Sequence, residues 1–158
     1  MFYTIQGNDI LIANNKEALS KYYSDVLPLP IDYEAGKYIV QDGILIDNTE
    51  AWEIEQAQKE AERIAKLYLT GADVERGIYQ AKGMDFEDIL AMVAQLQPEG
   101  LDIKALKIEL KANNFYRGNP YVNTIGLLLG FNKKQLDKFF EFNDYKYLLG
   151  ESEVEPNE

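Results

Sequence analysis

Two stretches of this chain carry the same punctuation. Ile78-Tyr79-Gln80-Ala81-Lys82-Gly83-Met84-Asp85 leads into Ile89, and Ile125-Gly126-Leu127-Leu128-Leu129-Gly130-Phe131-Asn132 leads into Leu136. Each reads as a helix stopped by glycine, then one apolar residue, an Asp or Asn cap and a second amphipathic helix. The echo commits this part of the chain to tight helical corners, a unit shared by DNA-reading helix-turn-helix domains and by bundles that bind nothing.

Similar signals run from residue 70 to 149 and predict a domain of about five short helices. Thr70 with Asp73, and Asp85 with Asp88, resemble capping boxes. Asp102 can cap a helix carrying Ile103, Leu106 and Leu110, while Asn119-Pro120 supplies a cap and a first-turn proline. Asn132 caps the last helix, whose apolar face is Leu136, Phe139 and Phe140.

The first 48 residues follow a different period. Phe2-Tyr3-Thr4-Ile5 and Ile10-Leu11-Ile12-Ala13 flank a Gly-containing loop, and Lys37-Tyr38-Ile39-Val40 and Ile44-Leu45-Ile46 flank Gln41-Asp42-Gly43. Both read as hairpins, the second with a strong Asp-Gly turn. Asn15 can cap a short helix through Tyr23, after which Pro28 and Pro30 require extended chain. Residues 49–69 then read as a long charged connector helix. Along it, Ile54, Ala57, Ala61, Ile64 and Tyr68 are spaced three and four apart, a short heptad seam that suits self-association or packing on its own domain. Trp52, near the start of this helix, reads as a seal between modules. The expected class is therefore α+β, mainly α: a small hairpin module (1–48), a connector helix (49–69), a helical domain (70–149) and an acidic disordered tail (150–158).

Composition narrows the chemistry. The chain has no cysteine and no histidine, and its serines are Ser20, Ser24 and Ser152. These absences exclude a disulfide, a thiol nucleophile, a Cys/His zinc site, a histidine base and a Ser/His/Asp triad. The default is a non-enzyme without cofactor or metal, since Asp85, Glu87, Asp88, Glu99 and Asp102 lack calcium-loop spacing and suit helix starts. A formal charge of -11 disfavours nucleic acid as a partner but admits a basic protein. No membrane span or signal peptide is expected, so the chain is placed in the cytoplasm.

Three surfaces remain as candidates. The string Phe115-Tyr116-Arg117-Gly118-Asn119-Pro120-Tyr121 could be an exposed recognition loop through Phe115, Tyr116, Arg117 and Tyr121. Alternatively, its aromatics seal the core while Arg117 pairs with an acid. The seam from Ile54 to Tyr68 is the second. If the last corner reads DNA, then Lys133, Lys134, Gln135 and Lys138 would face phosphates or base edges, with Asp137, Glu141 and Asp144 opposing them.

Leu69 to Gly83, with its Thr-Gly-Ala-Asp-Val-Glu-Arg helix start, and Tyr116-Arg117-Gly118-Asn119-Pro120 resemble small uncharacterised phage and prophage proteins encoded near tail genes. The order of an extended N-terminal section, a charged helix and this helix start is similar too. The resemblance implies a bacterial host and a virion-associated or assembly-assisting role. The leading expectation is thus a non-enzymatic accessory protein acting through protein contacts or self-association in tail assembly. Its alternatives are a helix-turn-helix regulator and an acidic inhibitor that mimics DNA on a basic surface.

Overall fold

The turn residues set the first strands. Gly7 at φ 63° lets the chain reverse between β1 (Phe2–Gln6) and β2 (Asp9–Ala13), which pair antiparallel with Phe2 opposite Ala13. Asp42 at φ 52° and Gly43 at φ 74° form the tight turn between β4 (Tyr38–Gln41) and β5 (Ile44–Asp47). Between the hairpins lie α1 (Lys16–Ser20) and β3 (Leu27–Pro28); Asn15 accepts from the Ala18 N–H to cap the helix. Proline is tolerated in β3 because this strand lies at the edge, giving a sheet order of β2-β1-β3.

A computed structural model describes residues 1–150. Among them are seven helices and seven short strands, an α+β architecture that is mainly α. The acidic tail expected from 150 to 158 lies outside the described residues, except for Gly150, which ends the last turn at φ 76°. Two compact units are present, Met1–Lys59 and Glu60–Glu158. Helix α2 (Thr49–Ala65) runs across the division. It is shorter than the 49–69 helix expected from spacing. After a turn in which the Leu67 N–H donates to the Ile64 carbonyl, Tyr68 enters a strand.

In Met1–Lys59, Tyr3, Leu19, Val26 and Leu29 form a small core. Trp52 packs within this unit, its Cδ1 standing 3.1 Å from where a Cβ on Gly36 would lie. Asp32 accepts from Lys37 Nζ and from the Tyr38 hydroxyl, each at 2.8 Å. The Lys37 and Tyr38 donors hold the Asp32 carboxyl below its ordinary range, and the same carboxylate raises the Tyr38 phenol. The stability Asp32 contributes is therefore present above the ordinary carboxylate range and lost as pH falls through the lowered native value. Substituting Asp32→Asn should move one phenol of the 11 tyrosines to lower pH in an absorbance titration against wild type. Superimposable titrations would refute the assignment.

The second unit contains a short strand pair whose two strands are far apart in the sequence. β6 (Tyr68–Thr70) pairs antiparallel with β7 (Asn114–Tyr116), and the ladder continues beyond both ends. At one end the Gly71 N–H donates to the Asn113 carbonyl; at the other, Arg117 donates to Leu67 and Gly118 to Ala65. Around it lie α3 (Gly71–Lys82), α4 (Phe86–Leu96), α5 (Ile103–Glu109), α6 (Pro120–Leu128) and α7 (Lys133–Phe142), then a 3-10 turn at Tyr145–Leu149. The caps follow the local chemistry: Thr70, Asp102 and Asn119 accept first-turn amides, and Asp85 with Asp88 closes a full capping box.

Both corners form as their punctuation requires. Gly83 at φ 70° ends α3, and Gly130 at φ 82° follows α6. Helices also approach closely where glycine removes a side chain. A Cβ on Gly77 would stand 2.5 Å from Phe139 Cε2, and one on Gly126 2.5 Å from Leu136 Cδ1. The core they enclose includes Ile89, Val93, Leu106 and Phe139, all 2% exposed or less. It leaves an apolar space of about 40 Å³. That is far below the several hundred Å³ of an ordinary ligand pocket, so it is packing space.

Candidate protein-contact surfaces

The Phe115–Tyr121 segment buries Phe115 and Arg117 and exposes Tyr116, Gly118 and Pro120. Phe115, on β7, is 6% exposed and lies against Phe86 with ring centroids 5.6 Å apart. Tyr121 is half-buried against the helical core. Arg117 is 3% exposed. Its Nη2 lies 2.7 Å from Asp137 Oδ1, Nη1 donates to Asn123 Oδ1 at 2.7 Å, and Nη2 donates to the Lys133 carbonyl at 3.4 Å. Asp137 Oδ1 makes no aligned hydrogen bond, so the Asp137 contact is an ion pair, and Arg117 Nε is buried without an acceptor. Of the four residues expected to form a recognition loop, only Tyr116 is exposed, at 53%. It faces Tyr68 across the ribbon, with centroids 5.7 Å apart. Of the expected contact loop, Phe115 and Arg117 are thus buried in the fold and Tyr121 is half-buried.

The heptad seam is partly present. Helix α2 buries none of its side chains. Ile54, Ala57 and Ala61 are exposed, and Ile64 is half-buried. Tyr68 is not on the helix at all but in β6, because the 3,4 spacing passes the point where the chain turns into the ribbon. The polar side chains of α2 pair locally: Lys59 with Glu55 at 2.7 Å, and Arg63 with Glu60 at 2.7 Å and with Glu141 at 2.8 Å. These two carboxylates raise the Arg63 guanidinium further above its already high value.

At the second corner, two of the four candidate DNA-reading residues are occupied. Gln135 accepts from the Asn132 N–H, completing a capping box, and donates to the Leu148 carbonyl at 3.2 Å. Lys138 sits 5.0 Å above the Phe142 ring and 3.6 Å from Glu141. Lys133 and Lys134 are exposed, and Lys82 lies 5.0 Å over Phe131 nearby. Of the four candidate residues, Lys133 and Lys134 are thus the exposed ones.

Charge is unevenly spread. Residues 1–59 carry ten Asp and Glu against four Lys, whereas residues 60–150 carry thirteen acids against twelve bases. The acidity that opposes nucleic acid thus lies mainly outside the described helical unit. Exposed apolar side chains do not share this bias: Ile12, Ile31, Ile39, Ile44 and Ile54 are among those in Met1–Lys59, and Tyr79, Leu96, Ile108, Leu127 and Phe142 among those that follow. Among the described residues no group of acids is placed to hold a metal, and no helix is long and apolar enough to cross a membrane. No family model, curated protein or solved structure matches this chain.

Proposed function

We propose that this chain is a non-enzymatic accessory protein, acting through protein contacts in the assembly of a phage or prophage tail within the bacterial cytoplasm. The observation that carries the contact reading is the exposure of apolar side chains: helix α2 has no buried residue, and isoleucines of Met1–Lys59 before it stand exposed. Most helical stability in proteins comes from packing of an apolar face, so a helix half-buried only at Thr49, Trp52, Gln56 and Ile64 suits a chain that meets a partner. The tail setting rests on the resemblance carried by Leu69–Gly83 and Tyr116–Pro120. Purification of the tagged full chain from an induced lysogen that encodes it should recover tail structural proteins. Recovery of none of them would sink this reading.

Self-association through α2 is its narrower form, favoured by the exposure of Ile54, Ala57 and Ala61. Ile54 is the cleanest site to test, being 54% exposed. Light scattering should then show an oligomer that Ile54→Asp reduces to monomer. A wild-type monomer, or an oligomer that survives the substitution, removes α2 as the contact.

A further inference from the structure

Hairpin β4–β5 is apolar on both faces. Its register sets Ile39 opposite Ile46 and Gln41 opposite Ile44, alternating with Tyr38 opposite Asp47 and Val40 opposite Leu45. Tyr38, Val40 and Leu45 are half-buried, and Tyr38 stacks on Tyr33 with centroids 5.9 Å apart. The other face is open: Ile39 is 40%, Ile44 64% and Ile46 37% exposed. Strands with one covered face alternate apolar and polar, whereas a run apolar on both faces belongs to strands covered on both. This sheet has only two strands. The β4 side is bridged once, Tyr38 to Ala35, while β5 has no strand on its outer edge among the described residues. Such a lone ribbon is marginal in water, and its free edge is a template for pairing.

Charge selects the occupant. From Tyr38 to Asp47 the hairpin carries Asp42 and Asp47 and no cation. Lys37, just before it, is held by Asp32 at 2.8 Å. The helix that follows opens with Glu50, Glu53 and Glu55, and Lys59 is paired with Glu55. A second copy seated on the hairpin would bring its own Asp42 and Asp47 against this copy's, and like charges across an interface are costly. We propose that the Ile39/Ile44/Ile46 face and the β5 edge receive an extended segment of another protein. In it, apolar residues alternate with Lys or Arg, and it is added as a third strand. This names the partner chemistry of the protein-contact reading above and rests on it.

The probe is a fluorescein-labelled peptide of alternating lysine and valine, matched to β5 in length, with a glutamate–valine peptide as control. Fluorescence anisotropy with the full chain should show the lysine peptide binding at low salt and the glutamate peptide not binding. Binding should weaken about tenfold in Ile39→Thr/Ile44→Thr/Ile46→Thr and also in about 0.5 M salt. Threonine keeps the strand preference at these exposed positions, so circular dichroism should be unchanged. Should the triple variant not fold, Ile44→Thr alone at the most exposed position should still give a several-fold loss. Absence of lysine-peptide binding, equal binding of both peptides, or binding indifferent to the threonines would overturn the proposal. So would a wild-type dimer that Ile44→Asp dissolves, since a second copy would then occupy the face. Capture of tail proteins that persists in the triple variant would remove the hairpin while leaving the protein-contact reading intact; loss of capture with the face intact would remove the reading itself.

Discussion

Replacing Arg117 with methionine is expected to lower the unfolding free energy of the helical unit by about 3 kcal/mol, the low end for breaking a buried ion pair. The low end applies because Asp137 keeps 19% of its side-chain surface in water while Arg117 keeps 4%. What is lost is less the attraction itself than the compensation of the Asp137 carboxylate, together with donors to Asn123 and the Lys133 carbonyl. The double variant Arg117→Met/Asp137→Leu should recover part of the loss, since no charge is then left in apolar surroundings. Urea unfolding checks this through a midpoint shift at constant slope. A single variant as stable as wild type would show that water reaches the pair.

Truncating Phe139 to alanine should cost about 3–5 kcal/mol, and it should also reverse the sign of a second substitution. In the wild-type background Gly77→Ala gains about 1 kcal/mol of helix propensity but drives a methyl into the Phe139 ring, an overpacking cost of about 1–3 kcal/mol. The net expectation is a loss. With the ring removed, the same methyl enters vacated space and the propensity gain survives. A double-mutant cycle should therefore show a coupling well beyond the few tenths of a kcal/mol of independent sites. Additive effects would mean that α3 and α7 do not meet at this point.

The legible parts of this fold are those whose physics is local. Asn15, Thr70, Asp85, Asp102, Asn119 and Asn132 each satisfy amides within three residues of themselves, so side-chain type and position suffice to place them. The Asp42-Gly43 turn is similar, because both residues tolerate positive φ. The β6–β7 ribbon is of the opposite kind. Each strand has three residues, and the partner of Tyr68 is Tyr116, far along the chain, so no local period announces it. Reading a helix through Tyr68 fails for that reason.

Site residues divide along the same line. That Arg117 would pair with an acid is readable as an alternative, but its partner, Asp137, and its burial come from helices folding back together. Gln135 carried a usable signal: Asn132 followed three residues later by Gln is a capping pattern, and it accounts for Gln135 without any nucleic acid. Spacing along α2 names the apolar stripe but not what covers it, because coverage belongs to another element or another molecule. The double-faced apolar hairpin is written openly in Tyr38-Ile39-Val40 and Ile44-Leu45-Ile46, and only the structure distinguishes its covered face from its open one.

Trp52 gives the chain a built-in separation of signals. It is the single tryptophan, and it packs on Gly36 inside Met1–Lys59, whereas five of the seven helices, α3 to α7, lie at or beyond residue 71. Indole emission therefore reports the melting of the N-terminal unit, while far-ultraviolet ellipticity is dominated by the helices that follow. Heating the unlabelled protein with both detectors therefore weights the two halves differently, and a gap between the curves shows that one can unravel while the other stands.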